Sequence, residues 1–220
     1  MSLTANNKGG GSDIPLMESG IKLGTCRMLI DLGHQENEWK GEVKIQHQIF
    51  VQHEIHGETI EVKDEDGNVT EVARAMGKFY TLSLNEKANL RRDLESWRGQ
   101  AFTDAELGAF DIEKLLGAPA QLQIVVKKKT DGTEKNDIAN IMAVMKGVNV
   151  PELTLPLVKF SFEDHDELTD DIPKGIQAII MQSQEWKALQ ENGDSMDQVA
   201  DSADEVPDVL PDGDDDNLPF

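Results

Sequence analysis

Cysteine is almost missing from this 220-residue chain: Cys26 stands alone, which rules out an intramolecular disulfide and any zinc site built from several cysteines. Long apolar runs are missing as well. The longest are only about as long as Ala178 to Met181 or Ile141 to Met145, far short of the ~18 to 20 residues that a membrane-crossing helix needs. No membrane partner is therefore expected. The first 13 residues are rich in Asn, Gly and Ser and hold no apolar stretch, so nothing there reads as a secretory signal and a cytoplasmic location is the expectation. Bases are scarce: 21 Lys and Arg face 42 Asp and Glu, for a net charge of −21. They are absent from residues 191–220, which hold 11 acids, so the first 190 residues, with 31 acids and 21 bases, carry the remaining −10. An apolar fraction of 38% with 29% charged residues suits a globular domain with a disordered segment attached.

What is present in the body is mostly β-pattern. Strand-like stretches fall at 21–32, 40–55, 69–84, 120–129 and 137–146. The second is the clearest, with Val43, Ile45, Ile49 and Val51 on one face and Lys44, Gln46, Gln48, Phe50 and Gln52 on the other. Asp66-Gly67-Asn68 and Asp131-Gly132 supply turn chemistry, the latter predicting a hairpin. Between the third and fourth strands the period becomes helical at Leu90, Leu94 and Trp97, with Asn85 placed to cap the start and Gly99 to end it. Thr103-x-x-Glu106 is a capping box opening a short helix, and residues 111–116 form another before Gly117. Residues 157–162 could add a further strand. Residues 172–189, with Ile176, Ile179, Ile180 and Trp186 at helical spacing, predict a C-terminal helix that covers the body or forms a homo-oligomer contact.

Five strands with helix between the third and fourth match the order of the OB-fold, a five-stranded Greek-key barrel that binds oligonucleotides with its second and third strands and its 1–2 and 4–5 loops. The expected organisation is a flexible N-terminus over 1–19, a mainly β OB-fold domain over 20–165, a C-terminal helix over 166–190 and a disordered acidic tail over 191–220. The tail has three of the eight prolines and few large apolar side chains, so it cannot bury enough surface to offset its ordering entropy.

Solubility explains the acids but not the ending. Asp214-Asp215-Asp216-Asn217-Leu218-Pro219-Phe220 resembles the C-terminal tip of bacterial and phage single-stranded DNA-binding proteins, where a run of Asp precedes an aliphatic residue, Pro and a final Phe. Asn217 departs from the relatives in which the acids run directly into the aliphatic residue. The stretch from Lys78 through Trp97-Arg98-Gly99 to Leu116-Gly117 is also similar to phage-encoded proteins of that group. The resemblance implies that Asp214, Asp215, Asp216, Leu218, Pro219 and Phe220 dock replication, recombination and repair proteins, while the body coats single-stranded DNA with little sequence preference.

Such binding needs cations for phosphates and exposed rings on which bases stack. Phe50 sits among the glutamines of the polar face of the second strand, with Lys44 nearby, and Trp39 and Lys40 fall in the 1–2 loop region. On the third strand Phe79 is expected to point outward and Tyr80 inward, with Arg74 and Lys78 adding charge. Lys127, Lys128 and Lys129 would crown the 4–5 loop. A body at −10 repels a polyanion at long range, so a local groove potential must overcome net charge. The acidic tail could occupy that groove until DNA displaces it.

Two other classes compete. Asp64-Glu65-Asp66, or His47, His53 and His56 with Glu54, could hold a metal for a nuclease, although His56 has the opposite strand parity from the other two histidines. No nucleophile or phosphate-loop pattern accompanies them, so a non-enzymatic protein without a cofactor is expected. An acidic decoy that mimics DNA and titrates basic proteins is the other alternative.

Overall fold

A computed structural model describes residues 15–39, 41–63, 68–164 and 167–193. The chain is mainly β. Strands β1 (Gly20–Trp39), β2 (Glu42–Lys63), β3 (Val69–Thr81), β4 (Pro119–Lys128) and β5 (Glu134–Met142) form one strongly curled antiparallel half-barrel sheet in the order β3-β2-β1-β4-β5. The strands fall where alternation and turn residues place them, but β1 and β2 are longer than expected and β5 starts earlier. A short β6 (Val158–Phe160) runs parallel to β1 at Met28–Ile30. The first half of β1 pairs with β4 from Gly20 to Thr25, and almost its whole length pairs with β2. A bulge between Cys26 and Met28 re-aims the strand at the point where β4 ends and β6 takes over its edge.

The concave face holds the main core: Cys26, Leu29, Ile49, Val51, Ile55, Tyr80, Leu122, Ile124, Ile138 and Ile141, together with Leu90, Leu94 and Trp97 of α1 (Asn89–Arg98). Trp97 Nε1 donates to Pro119 O at 2.8 Å, tying α1 to the start of β4. Burial pushes the Cys26 thiol up to about 12, which leaves it an inert core group. The edge strands β3 and β5 are bridged rather than paired. Arg74 Nη2 donates to Asn136 Oδ1 at 2.9 Å and its Nη1 to Pro15 O at 2.7 Å, while Asn136 also exchanges hydrogen bonds with the backbone of Met17. The N-terminal segment thus fills the gap on that side.

Helix α1 starts later than Asn85 suggests. Ala88 is its N-cap, without a side-chain bond, and Gly99 ends it in the left-handed region as expected. Helix α2 (Asp104–Gly108) has the capping box of Thr103 and Glu106, and a 3-10 turn (Ile112–Leu115) replaces the second short helix. The single C-terminal helix of the sequence pattern is instead two, α3 (Lys174–Gln182) and α4 (Gln184–Gly193). Ser183 breaks them with an extended backbone, and its Oγ accepts from Trp186 N at 3.0 Å at the start of α4. Residues 191–193, assigned to the tail from composition, are the last turn of α4.

The convex face of β1 and β2 is also covered. Met28, Ile30, Leu32 and Phe50 pack under Val158 and Phe160 of β6 and Ile172, Ile176 and Ile180 of the α3 region. Beside them residues 151–157 are pinned by polar bonds. Glu54, buried, accepts from Thr154 N and Leu155 N at 3.0 and 2.7 Å, and Arg27 Nε donates to Pro156 O at 3.1 Å.

Candidate nucleic-acid interface

The convex surface that stays open is the β3 side of the sheet and the two strand tips. Phe79 pairs across with Phe50, their ring centroids 4.8 Å apart. Phe79 is 39% exposed and Phe50 only 6%. An outward Phe79 and an inward Tyr80 agree with strand parity, whereas the expectation of an exposed Phe50 is wrong. The reason is long-range: β6 and α3 cover this part of the convex face, so parity alone did not decide exposure. Phe50 serves instead as the buried floor beside Phe79. Gly77 makes that possible, because a Cβ there would overlap Phe50 Cζ and Cε2. A glycine inside a strand marks such a close approach, and this was the signal that pattern reading passed over.

Three of the candidate cations have partners in the protein, Arg74 and Lys78 in or near its interior and Lys127 at its surface. Arg74 is buried in the β3–β5 bridge, where Nη1 and Nη2 each donate to a protein acceptor. Lys78 pairs with Asp93 of α1 at 2.7 Å, on the concave-side parity of Val51. The same carboxylate accepts from Tyr80 OH at 2.9 Å, and burial, then Asp93, raises the Tyr80 pKa. Lys127 pairs with Asp137 at 2.9 Å. Lys44, Lys128 and Lys129 are exposed. Trp39 ends β1 opposite Glu42, and Lys40 lies outside the described residues, as do Asp214, Asp215, Asp216, Leu218, Pro219 and Phe220 and the Asp64-Glu65-Asp66 cluster.

The structure brings Phe50 and Phe79 together but separates the lysines. The β1–β2 turn lies past the Trp39 end of β1, whereas β4 runs antiparallel to β1 and ends past its Gly20 end. Lys44 and the Lys128–Lys129 pair therefore stand at opposite ends of β1, flanking the β2–β3 surface. The outer part of the β1–β2 hairpin projects from the core, so Val43 and Ile45 are exposed where alternation had placed them inside.

The three histidines of β2 go to three places. His47 Nε2 meets Asp31 Oδ1 at 2.6 Å, and this bond raises its pKa. The His56 ring hydrogen-bonds Thr25 Oγ1 at 2.8 Å. His53 is fully buried against Trp97 with neither ring nitrogen bonded, and desolvation lowers its pKa to about 3. Among the described residues no group of three His, Cys, Asp or Glu is arranged to hold a metal ion. No protein-family model matches the chain, and no curated protein matches it either.

Proposed function

We propose that the chain is a single-stranded DNA-binding protein of OB-fold type that coats unpaired strands and recruits replication and recombination proteins through its acidic C-terminal tip. The observation that carries the reading is Phe79: a half-exposed ring on the open β2–β3 surface, backed by the buried Phe50. A base can stack there without a preference for its identity. Three further features support it. The curled sheet, with β1 shared between β2 and β4, is compatible with the barrel that this reading calls for. Exposed lysines flank the surface at both ends. The ending at residues 214–220 resembles the docking tip of this group. Lys44, Lys128 and Lys129, with Lys40 and Trp39 at the β1–β2 turn, are the residues assigned to phosphates and a second stack. Arg74 and Lys78 are reassigned to holding the fold, whereas Lys127, exposed in its surface pair with Asp137, stays with the lysines assigned to phosphates.

Phe79→Ala is the direct test. Loss of one stack, about 1–3 kcal/mol, lowers affinity for oligo-dT about 5- to 150-fold, while far-UV circular dichroism stays unchanged because the ring is half in solvent. Unaltered oligo-dT affinity in the folded variant would overturn the reading. A salt titration adds a second measurement: Lys128→Gln with Lys129→Gln should reduce the slope of log K against log salt by about 1.4, two phosphate contacts at roughly 0.7 each.

Tail competition gives a further expected result. Ending the chain after Gly193 removes ten of the eleven acids of residues 191–220, and the shortened protein should bind oligo-dT more tightly at low salt and equally at high salt. Equal affinity at low salt would show that the acids do not compete. The net charge of −21 favours one other reading, an acidic decoy; it requires that the full chain bind no oligo-dT even at low salt.

A further inference from the structure

We infer that His34 and His47, stacked between the carboxylates of Asp31 and Glu185, form a pH-responsive clasp that holds α4, the helix from which residues 194–220 continue, against the β1–β2 hairpin. The two imidazole rings lie 4.7 Å apart, centroid to centroid, on directly opposed positions of β1 and β2. Each ring is bonded to an acid: His47 Nε2 to Asp31 at 2.6 Å, and His34 Nδ1 to Glu185, the second residue of α4. The second Glu185 oxygen accepts from His34 N at 2.7 Å, so one carboxylate grips both the ring and the backbone. None of these four side chains is fully buried, and the rings are 30% and 45% exposed, so protons exchange with solvent freely.

The seat is built for this contact. Gly33 follows the β1 bulge with φ of +71°, a left-handed conformation that disfavours any side chain, and a Cβ there would overlap Glu185 and come within 2.9 Å of Ser183 and Phe162. α4 therefore packs on bare backbone. Its remaining ties here are the Ser183 cap and the apolar contact of Trp186 with the convex cluster. The charged groups facing the pair are Asp31 from β1 and Glu185 from α4.

The sign follows from the two linked groups. The His47 pKa is raised, by the Asp31 hydrogen bond first, which lies within the sheet, and by the Glu185 charge, which is the share that acts on α4; that share is complete below the unfolded value near 6.5 and is lost as pH rises through the folded value. The Glu185 pKa is lowered by its bonds to His34 against an opposing burial effect, so its share fails only under more acidic conditions. The clasp is tightest in mildly acidic solution and weakens towards alkaline pH.

Hydrogen exchange of the α4 amides in the full-length protein, corrected for the intrinsic pH dependence of exchange, tests this. Protection should fall severalfold between pH 6 and 8.5, while α1 protection changes little. Glu185→Gln keeps an acceptor but not the charge, and should flatten the profile at reduced protection. His47→Gln leaves the His34 bond in place and should shrink the pH response. A flat profile in the unsubstituted protein would refute the clasp, as would the same response surviving in both variants.

Discussion

Acidification from pH 7 to pH 5 will destabilise the folded chain by about 2 kcal/mol through His53 alone, and His53→Leu will abolish that loss. The imidazole is fully buried against Trp97, and both ring nitrogens lack a partner. In the unfolded chain it takes a proton near pH 6.5; in the folded chain only near about 3. Between these values the unfolded state binds more protons, so stability falls with falling pH by ~1.4 kcal/mol per unit. His47, with a raised pKa, acts in the opposite sense: its stabilising share grows as pH falls from 7 and becomes level once pH is well below the unfolded value near 6.5, so the difference between the parent and His53→Leu is what isolates His53. Glu95, Glu106, Asp131 and Glu185 have lowered pKa values, and their contributions begin to fail as pH falls to the ordinary carboxylate values, at most 4.5, and are lost through the lower folded values. Urea unfolding at pH 7, 6 and 5 reads the slope directly. In His53→Leu the same series should show no such fall, with stability at pH 7 no lower than in the parent, because a buried ring without hydrogen bonds is replaced by an apolar side chain of similar size. A parent profile that runs parallel to the variant's would mean that His53 finds a proton acceptor in solution.

His53 also shows where sequence reading stops. Its alternation with Val51 and Ile55 assigns it to the concave face, but the same pattern is equally compatible with a metal ligand, and only Trp97, arriving from α1, fixes its surroundings. The strands were legible because alternation and turn glycines are local properties. Phe50 was not, since the groups that bury it, Val158, Phe160 and Ile176, lie more than 100 residues later and cover a face that glutamines mark as wet. Arg74 and Lys78 read as free cations for the same reason: Asn136 and Asp93 meet them only in three dimensions. The break between α3 and α4 was hidden by an apolar period that runs through it. Its one local mark, Ser183 three residues before Trp186, is an N-cap spacing inside an otherwise helical pattern.

Gly77→Ala should have the other large effect, and it bears on both the fold and the proposed stacking surface. Gly77 lies opposite Gln52, two positions from the Phe50–Phe79 pair, and the Phe50 ring rests on its bare Cα. An added methyl overlaps the ring tip, so either β3 moves away from β2 or the ring swings off its seat. Phe50 is buried beneath Phe160 and its neighbours, so neither route is easy, and the expected loss is about 2–3 kcal/mol, within the range for overpacked cores. Phe50→Leu shortens the ring to a branched chain and should cost about 1 kcal/mol for a tolerated apolar swap. Combined with Gly77→Ala it should cost less than the sum of the two, because the clash is with the ring itself. Urea unfolding of the four proteins of this cycle measures the coupling, and strict additivity would show that the ring does not rest on Gly77. Oligo-dT affinity of Gly77→Ala then reports on the surface. If Phe79 stacks bases from the platform that Phe50 supports, tilting the platform lowers affinity in the folded variant, whereas a surface that plays no part in binding leaves it unchanged.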